Sequence, residues 1–263
     1  MGKLIPKRAL KNTRIRQAIQ KCLDARRAKT EERDVYRNTS SDEVCSTTQQ
    51  MSGFQKPAKD PMNVIITGVG GQGNVLASRV LAGMLVNAGY QVTIGETFGM
   101  SQRGGSVMSH LRISQKSIMS PQIPQGRADI IIALEPVEAL RVLTKYGNPD
   151  VAVLSNSRVV YPIGVITGEL NYPSFEEIRD ALQKTTAKNW LIDATEEAVK
   201  LGNPVLSNII MTGALSATGL LPIDRRSFEK EIARNMTADK RRINLLAFDA
   251  GTKMISDGII DGT

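Results

Sequence analysis

The run Met62–Thr67 (Met-Asn-Val-Ile-Ile-Thr) leads into Gly68-Val69-Gly70-Gly71-Gln72-Gly73 and then into Asn74–Ala88, an apolar-periodic stretch closed by Gly89. A short β-branched run ending at glycine reads as a strand buried on both faces, and a helical period ended by glycine reads as a helix. Gln91–Gly95 follows as a second strand. Strand, glycine turn, helix and strand make a βαβ unit, whose crossover is expected to be right-handed. A chain that begins this way needs helices on both faces of its sheet, because a parallel sheet has no solvated face.

The alternation continues down the chain. Asp129–Leu134 reads as a buried strand, and Glu135-Pro136 opens a helix to about Tyr146, with proline at an early helical position. Val151–Leu154 is a strand, Ser174–Lys184 a helix and Trp190–Ile192 a strand, with Asp193 as N-cap of a helix ending before Gly202. Ile209–Thr218, Phe228–Asn235 and Lys240–Ile255 read as further helices, and Ser106–Ile113 alternates like a half-buried strand. The expected fold is α/β: an open, doubly wound, mostly parallel sheet with flanking helices in one domain over residues 62–258.

Composition matters chiefly through its distribution. Of the 263 residues, 1–61 hold 14 basic and 7 acidic side chains, while the remaining 202 hold 20 and 19. The net charge of +8 therefore belongs to an N-terminal extension and says nothing about the fold. Within it, residues 10–36 lack Gly and Pro and place Ile15, Ala18, Ile19, Cys22 and Leu23 at helical spacing, which predicts a basic amphipathic helix. Residues 38–60 read as a polar linker. The extension is open to three readings: a helix that docks on a partner, a targeting segment, or an upstream misread start, since Met62 stands just before the first clear strand. Two cysteines, Cys22 and Cys45, and one histidine, His110, cannot build a disulfide framework, an iron–sulfur cluster or a histidine-rich metal site. Eleven aromatics offer few stacking platforms for nucleic acid, and no run reaches the roughly 18–20 apolar residues of a membrane span.

Gly68, Gly70 and Gly73 match G-x-G-x-x-G after a strand and before a helix, where backbone N–H groups can approach a phosphate at the positive helix end. Glu96, at the end of the second strand, stands where a ribose-binding acid would sit. These features alone suggest a nicotinamide-dependent dehydrogenase or a nucleotide-binding module; the competing reading is that the glycines serve only strand–helix packing. Against a dehydrogenase, His110 reads as a strand residue rather than a base, and no separate substrate domain follows.

A second glycine cluster, Gly95-Glu96-Thr97-Phe98-Gly99-Met100-Ser101-Gln102-Arg103-Gly104-Gly105-Ser106, joins the second strand to the one containing His110. It sets one guanidinium, one amide and three hydroxyls in a loop at the carboxyl edge of the sheet, where ligands bind in doubly wound folds. Arg103 can fork onto a phosphate or a carboxylate. The two clusters in this order resemble the gamma-type subunit of the 2-oxoacid:ferredoxin oxidoreductases, from about Met62 to Ile255. Further agreement lies in Glu135-Pro136-Val137-Glu138-Ala139-Leu140, Ser155-Asn156-Ser157-Arg158, Tyr172-Pro173 and Gly213-Ala214-Leu215.

The resemblance implies a reaction in which a 2-oxoacid, coenzyme A and oxidised ferredoxin give an acyl-CoA, carbon dioxide and reduced ferredoxin. Indolepyruvate or another aryl pyruvate is the implied substrate. Thiamine diphosphate, magnesium and [4Fe-4S] clusters are expected on a larger alpha subunit, with ferredoxin as acceptor of the complex, coenzyme A as co-substrate and no resident cofactor on this chain alone. Carried over position by position, Gly70, Gly71, Gln72 and Gly73 supply contacts of the first loop. Ser101, Gln102, Arg103 and Gly104 face the active-site cleft, Asn156 joins them, and Ser155 and Arg158 are weaker candidates. No residue is assigned as a catalyst, since the covalent chemistry belongs to the thiamine cofactor. The chain is expected to be cytoplasmic, inactive alone, and bound to neither nucleic acid nor membrane. A third reading is a non-catalytic scaffold whose basic extension recruits an acidic partner.

Overall fold

The computed structural model describes residues 59–96, 105–161, 163–168 and 171–257. The expected helix over 10–36, nearly all of the linker, and the four loop residues Ser101–Gly104 lie outside them. In chain order the elements are β1 (Met62–Val69), α1 (Asn74–Asn87), β2 (Gln91–Glu96), β3 (Ser106–Ser114), β4 (Ile130–Ala133), α2 (Pro136–Tyr146), β5 (Ala152–Asn156), α3 (Ile163–Ile166), α4 (Phe175–Thr185), β6 (Lys188–Ile192), α5 (Ala194–Lys200), α6 (Ser207–Ala217), α7 (Arg225–Asn235) and α8 (Ala238–Ser256). A 3-10 turn, Pro204–Leu206, leads into α6.

The strands form one sheet in the order β2-β3-β1-β4-β5-β6. β1, β4, β5 and β6 pair in parallel, while β3 lies antiparallel between β1 and β2. In the first βαβ unit β1 and β2 run the same way, with β3 between them. Alternation along β1 divides the core. Val64 and Ile66 join α1 and α5 to α8 on one face, and Ile65 joins α2 and α4 on the other. All eight residues of β1 are buried, and each large aliphatic side chain so placed is worth about 1.5–3 kcal/mol.

Local chemistry sets the helix boundaries. Ser174 and Glu177 form a capping box at α4, and Asp193 caps α5 through the Glu196 N–H at 2.9 Å. Gly89 follows α1 at φ 89°, a left-handed conformation that suits glycine. Ser155 and Asn156 are the last two residues of β5 and are buried, rather than lying beyond the strand as the sequence suggested. No helix among the described residues is long and apolar enough to cross a membrane.

Candidate functional site

β1 and β4 are parallel neighbours, yet α1 leaves β1 toward one face and α2 leaves β4 toward the other. Their carboxyl ends therefore flank the topological switch point, the crevice in which doubly wound folds hold ligands. Gly70–Gly73 lies at this edge, as does the start of β3. The two are tied by a hydrogen bond from the Gly70 N–H to the Gly105 carbonyl at 2.8 Å. The second glycine cluster thus ends beside the first.

The glycines have different tasks. A Cβ at Gly68 would stand 2.7 Å from Gln72 Oε1 and 3.0 Å from Leu134 Cβ, so its bareness serves packing. Gly73, at φ 84°, is the residue before α1, and a Cβ there would run into the Asn208 amide of α6. Gly71, at φ 103°, faces open space and needs glycine for its conformation alone. Close packing thus requires glycine at Gly68 and Gly73.

Two candidate side chains are braces within the protein. Gln72 accepts the Val69 N–H at 2.7 Å and donates to the Leu134 carbonyl at 3.0 Å. Asn156 donates to the same carbonyl at 3.3 Å and to Thr195 Oγ1 at 2.8 Å, and accepts the Ala194 N–H at 3.0 Å. Together they lock the ends of β1, β4 and β5 to the start of α5. Ser155 donates to the Asn156 carbonyl, and Arg158 stands exposed at the edge.

The start of α1 lies at the same edge. It carries no side-chain cap and no acid in its first turn, so among the described residues its leading N–H groups and positive dipole end have no side-chain partner. Among the described residues neither amide atom of Asn74, which is 4% exposed, has a partner, nor has the Oδ1 of Asn208, whose Nδ2 donates to the Gly73 carbonyl at 3.3 Å. The sequence reading missed both asparagines; for Asn208 the distance of 135 residues from Gly73 hid the contact.

Across the crevice, α2 begins with two buried carboxylates. Glu135 accepts from the Tyr172 hydroxyl and, at 2.9 Å, from the Glu138 N–H. Burial pushes its carboxyl above the usual range, and burial together with the Glu135 carboxylate pushes the Tyr172 phenol up. Glu138 gathers Ser106 Oγ at 2.6 Å, Thr67 Oγ1 at 3.4 Å and the Arg141 guanidinium at 2.7 Å, joining β3, β1 and α2. His110 is buried on β3, accepts the Ile123 N–H at 3.1 Å and meets the edge of Tyr146, so it is the strand residue expected of it.

Two arrangements bear on the alternatives. Glu96 sits two strand spacings from β1, about 9–10 Å, because β3 intervenes, whereas a dinucleotide fold places its ribose-binding acid on the adjacent strand. Among the described residues no group of three or more His, Cys, Asp or Glu could hold a metal ion. Among the described residues the edge offers a start of α1 without a side-chain cap and no metal-binding carboxylate cluster.

Residues 63–254 match the sequence profile of the pyruvate ferredoxin/flavodoxin oxidoreductase family. The chain is 36% identical over 192 residues to the indolepyruvate oxidoreductase subunit IorB of Pyrococcus horikoshii, covering 73% of this chain and 94% of that one. It is 29% identical over 161 residues to the common gamma subunit of the pyruvate/ketoisovalerate oxidoreductases of Pyrococcus furiosus, covering 60% and 78%. A keto/oxoacid ferredoxin oxidoreductase gamma subunit from Geobacter sulfurreducens shares the fold with a TM-score of 0.53 at 20% identity, over 75% of this chain and 99% of that one. So does part of a 2-oxoglutarate:ferredoxin oxidoreductase from Magnetococcus marinus, with a TM-score of 0.59 at 19% identity, over 76% of this chain and 32% of the other.

Proposed function

Because the chain belongs to the pyruvate ferredoxin/flavodoxin oxidoreductase family, we propose that it is the accessory subunit of a thiamine-dependent 2-oxoacid:ferredoxin oxidoreductase acting on indolepyruvate or another aryl pyruvate. It works in a complex whose larger subunit holds thiamine diphosphate, magnesium and iron–sulfur clusters, and whose acceptor is ferredoxin. The products are an acyl-CoA, carbon dioxide and reduced ferredoxin. The likeness to indolepyruvate oxidoreductase subunits at 36% identity supports the substrate.

The observation that carries this chain's share is the uncapped start of α1 at the switch point, next to the unpartnered Asn74 amide. A coenzyme A phosphate is the anion this reading assigns there, because the first-turn N–H groups are donors in want of an acceptor among the described residues. Gly70, Gly71 and Gly73 let the backbone turn beneath it, and Gln72 and Asn156 hold the turn through Leu134. Ser101, Gln102, Arg103 and Gly104 belong to the loop that ends at Gly105, hydrogen-bonded to Gly70, and Arg103 offers its charge to the coenzyme A phosphate or the substrate carboxylate. Bound thiamine diphosphate supplies the carbanion chemistry; this chain orients and neutralises charge.

Anaerobic purification of the tagged chain with its native partners tests the reading. A larger, iron-bearing, thiamine-containing subunit and acyl-CoA formation from aryl pyruvates are expected; a chain recovered alone, iron-free and binding NAD, overturns it. In the assembled enzyme Arg103→Ala is expected to raise the KM for coenzyme A or 2-oxoacid by about 1.5–3 kcal/mol of binding.

A further inference from the structure

α7 and α8 form a hairpin joined through Met236-Thr237, with Arg225 at the start of α7 paired to Asp249 late in α8 at 2.7 Å. Between them runs a groove of about 410 Å³, open to solvent. Its middle is apolar, with Ile232 and Ala233 from α7 and Leu245 and Leu246 from α8. Leu246 is 46% exposed. One end is cationic. Asp249 and Glu229 offset Arg225, but among the described residues neither Arg241 nor Arg242 is in an ion pair, and the Arg241 Nε is buried without a partner. Both arginines lie near the start of α8, where the N-cap residue Thr237 gives no side-chain cap and the helix dipole adds positive potential. Asp239, exposed, is the only acid in that first turn.

This end is remote from the carboxyl edge. α6 starts at the glycine turn, and α8 runs antiparallel to it, with Gly251 against Ile210 and Gly213 against Phe248. Arg241 therefore lies about 15 Å along α8 from the level of Ile210, toward the other edge of the sheet.

We propose that this groove docks an acidic, amphipathic segment of a partner protein. Its carboxylates pair with Arg241 and Arg242, and an apolar side chain covers Leu245 and Leu246. Two helices side by side present the ridges against which a third helix packs, the helix-in-groove mode of recognition. Charge selects the occupant. The chain's own residues 1–61, with 14 basic and 7 acidic side chains, carry net charge of the same sign as the two arginines, whereas an acidic segment supplies the acceptors that they lack among the described residues.

The test places the photocrosslinker p-benzoylphenylalanine at Leu246 in the full chain, purified with its native partners, and identifies the crosslinked peptide by mass spectrometry. Position 118, after the end of β3 and outside the groove lining, where Ile118 is 81% exposed, is the control. The expected product is a peptide of another chain with at least two Asp or Glu within two helical turns, and a yield at least fivefold lower in Arg241→Gln/Arg242→Gln at unchanged melting temperature. If that double variant does not fold, Arg242→Gln and a rise from 0.05 to 0.5 M salt must each lower the yield instead. A product from residues 1–58, from a second copy or from a basic peptide overturns the proposal. So does a yield no higher than at position 118, or one indifferent to both charge and salt.

Discussion

At Gly73 two demands meet on one residue: a φ of 84° and the contact of the Asn208 amide. Gly71 carries only the first demand, since its φ is 103° but nothing lies within reach of a Cβ. Alanine in a left-handed conformation costs about 1–2 kcal/mol at either position. Gly73→Ala adds a collision with a buried side chain, so it is expected to destabilise more than Gly71→Ala by a further 1–3 kcal/mol or so in urea titrations. If the collision is with Asn208, then Asn208→Ala restores part of the loss in the double variant and leaves Gly71→Ala unaffected. Strictly additive effects of Gly73→Ala and Asn208→Ala would show that conformation alone requires the glycine.

Among the elements, the α6–α8 crossing is where packing and propensity make opposite predictions. Gly213 and Gly251 each sit mid-helix, where alanine would be favoured by about 1 kcal/mol on propensity. A Cβ at Gly213 would meet the Phe248 carbonyl and one at Gly251 the Ile210 carbonyl, both backbone atoms that cannot swing away. Gly251→Ala is therefore expected to lower stability by about 1–3 kcal/mol, and a rise in melting temperature would refute the close approach. At an end rather than a crossing, Ser174→Ala should cost about 1 kcal/mol through the lost capping box of α4. These elements were legible because buried strands and glycine- or acid-capped helices repeat along the sequence. The direction of β3 was not, since alternation in Ser106–Ile113 marks a strand and its faces but carries no sense of polarity. The site divides in the same way. The glycine turn was visible as a local motif, while Gln72 and Asn156 as braces on Leu134, and Asn208 against Gly73, are long-range pairings that no spacing announces.

For the whole molecule, two buried groups on the α2 side of the sheet make stability depend on pH in opposite senses. Burial, and secondarily the Lys145 charge, lower the His110 pKa below 6.5. The folded chain then binds this proton less readily than the unfolded one, so the contribution is complete above pH 6.5 and is lost as pH falls through the lowered value. Glu135 works the other way. Burial raises its carboxyl above 4.5, so its contribution is complete below pH 4.5 and is lost as pH rises through the raised value. Total stability thus mixes a fall and a gain on acidification, and a comparison of variants separates them. His110→Gln keeps an acceptor for the Ile123 N–H but has no proton to gain. Wild type is expected to be the more stable at pH 8, and the difference to shrink as pH drops below 6.5, measured by urea titration at matched ionic strength. A difference that stays constant from pH 8 to pH 5 would mean that His110 is as free to ionise in the fold as in the open chain. That outcome would remove the closed, apolar wall that His110, Tyr146 and Ile123 build behind β3.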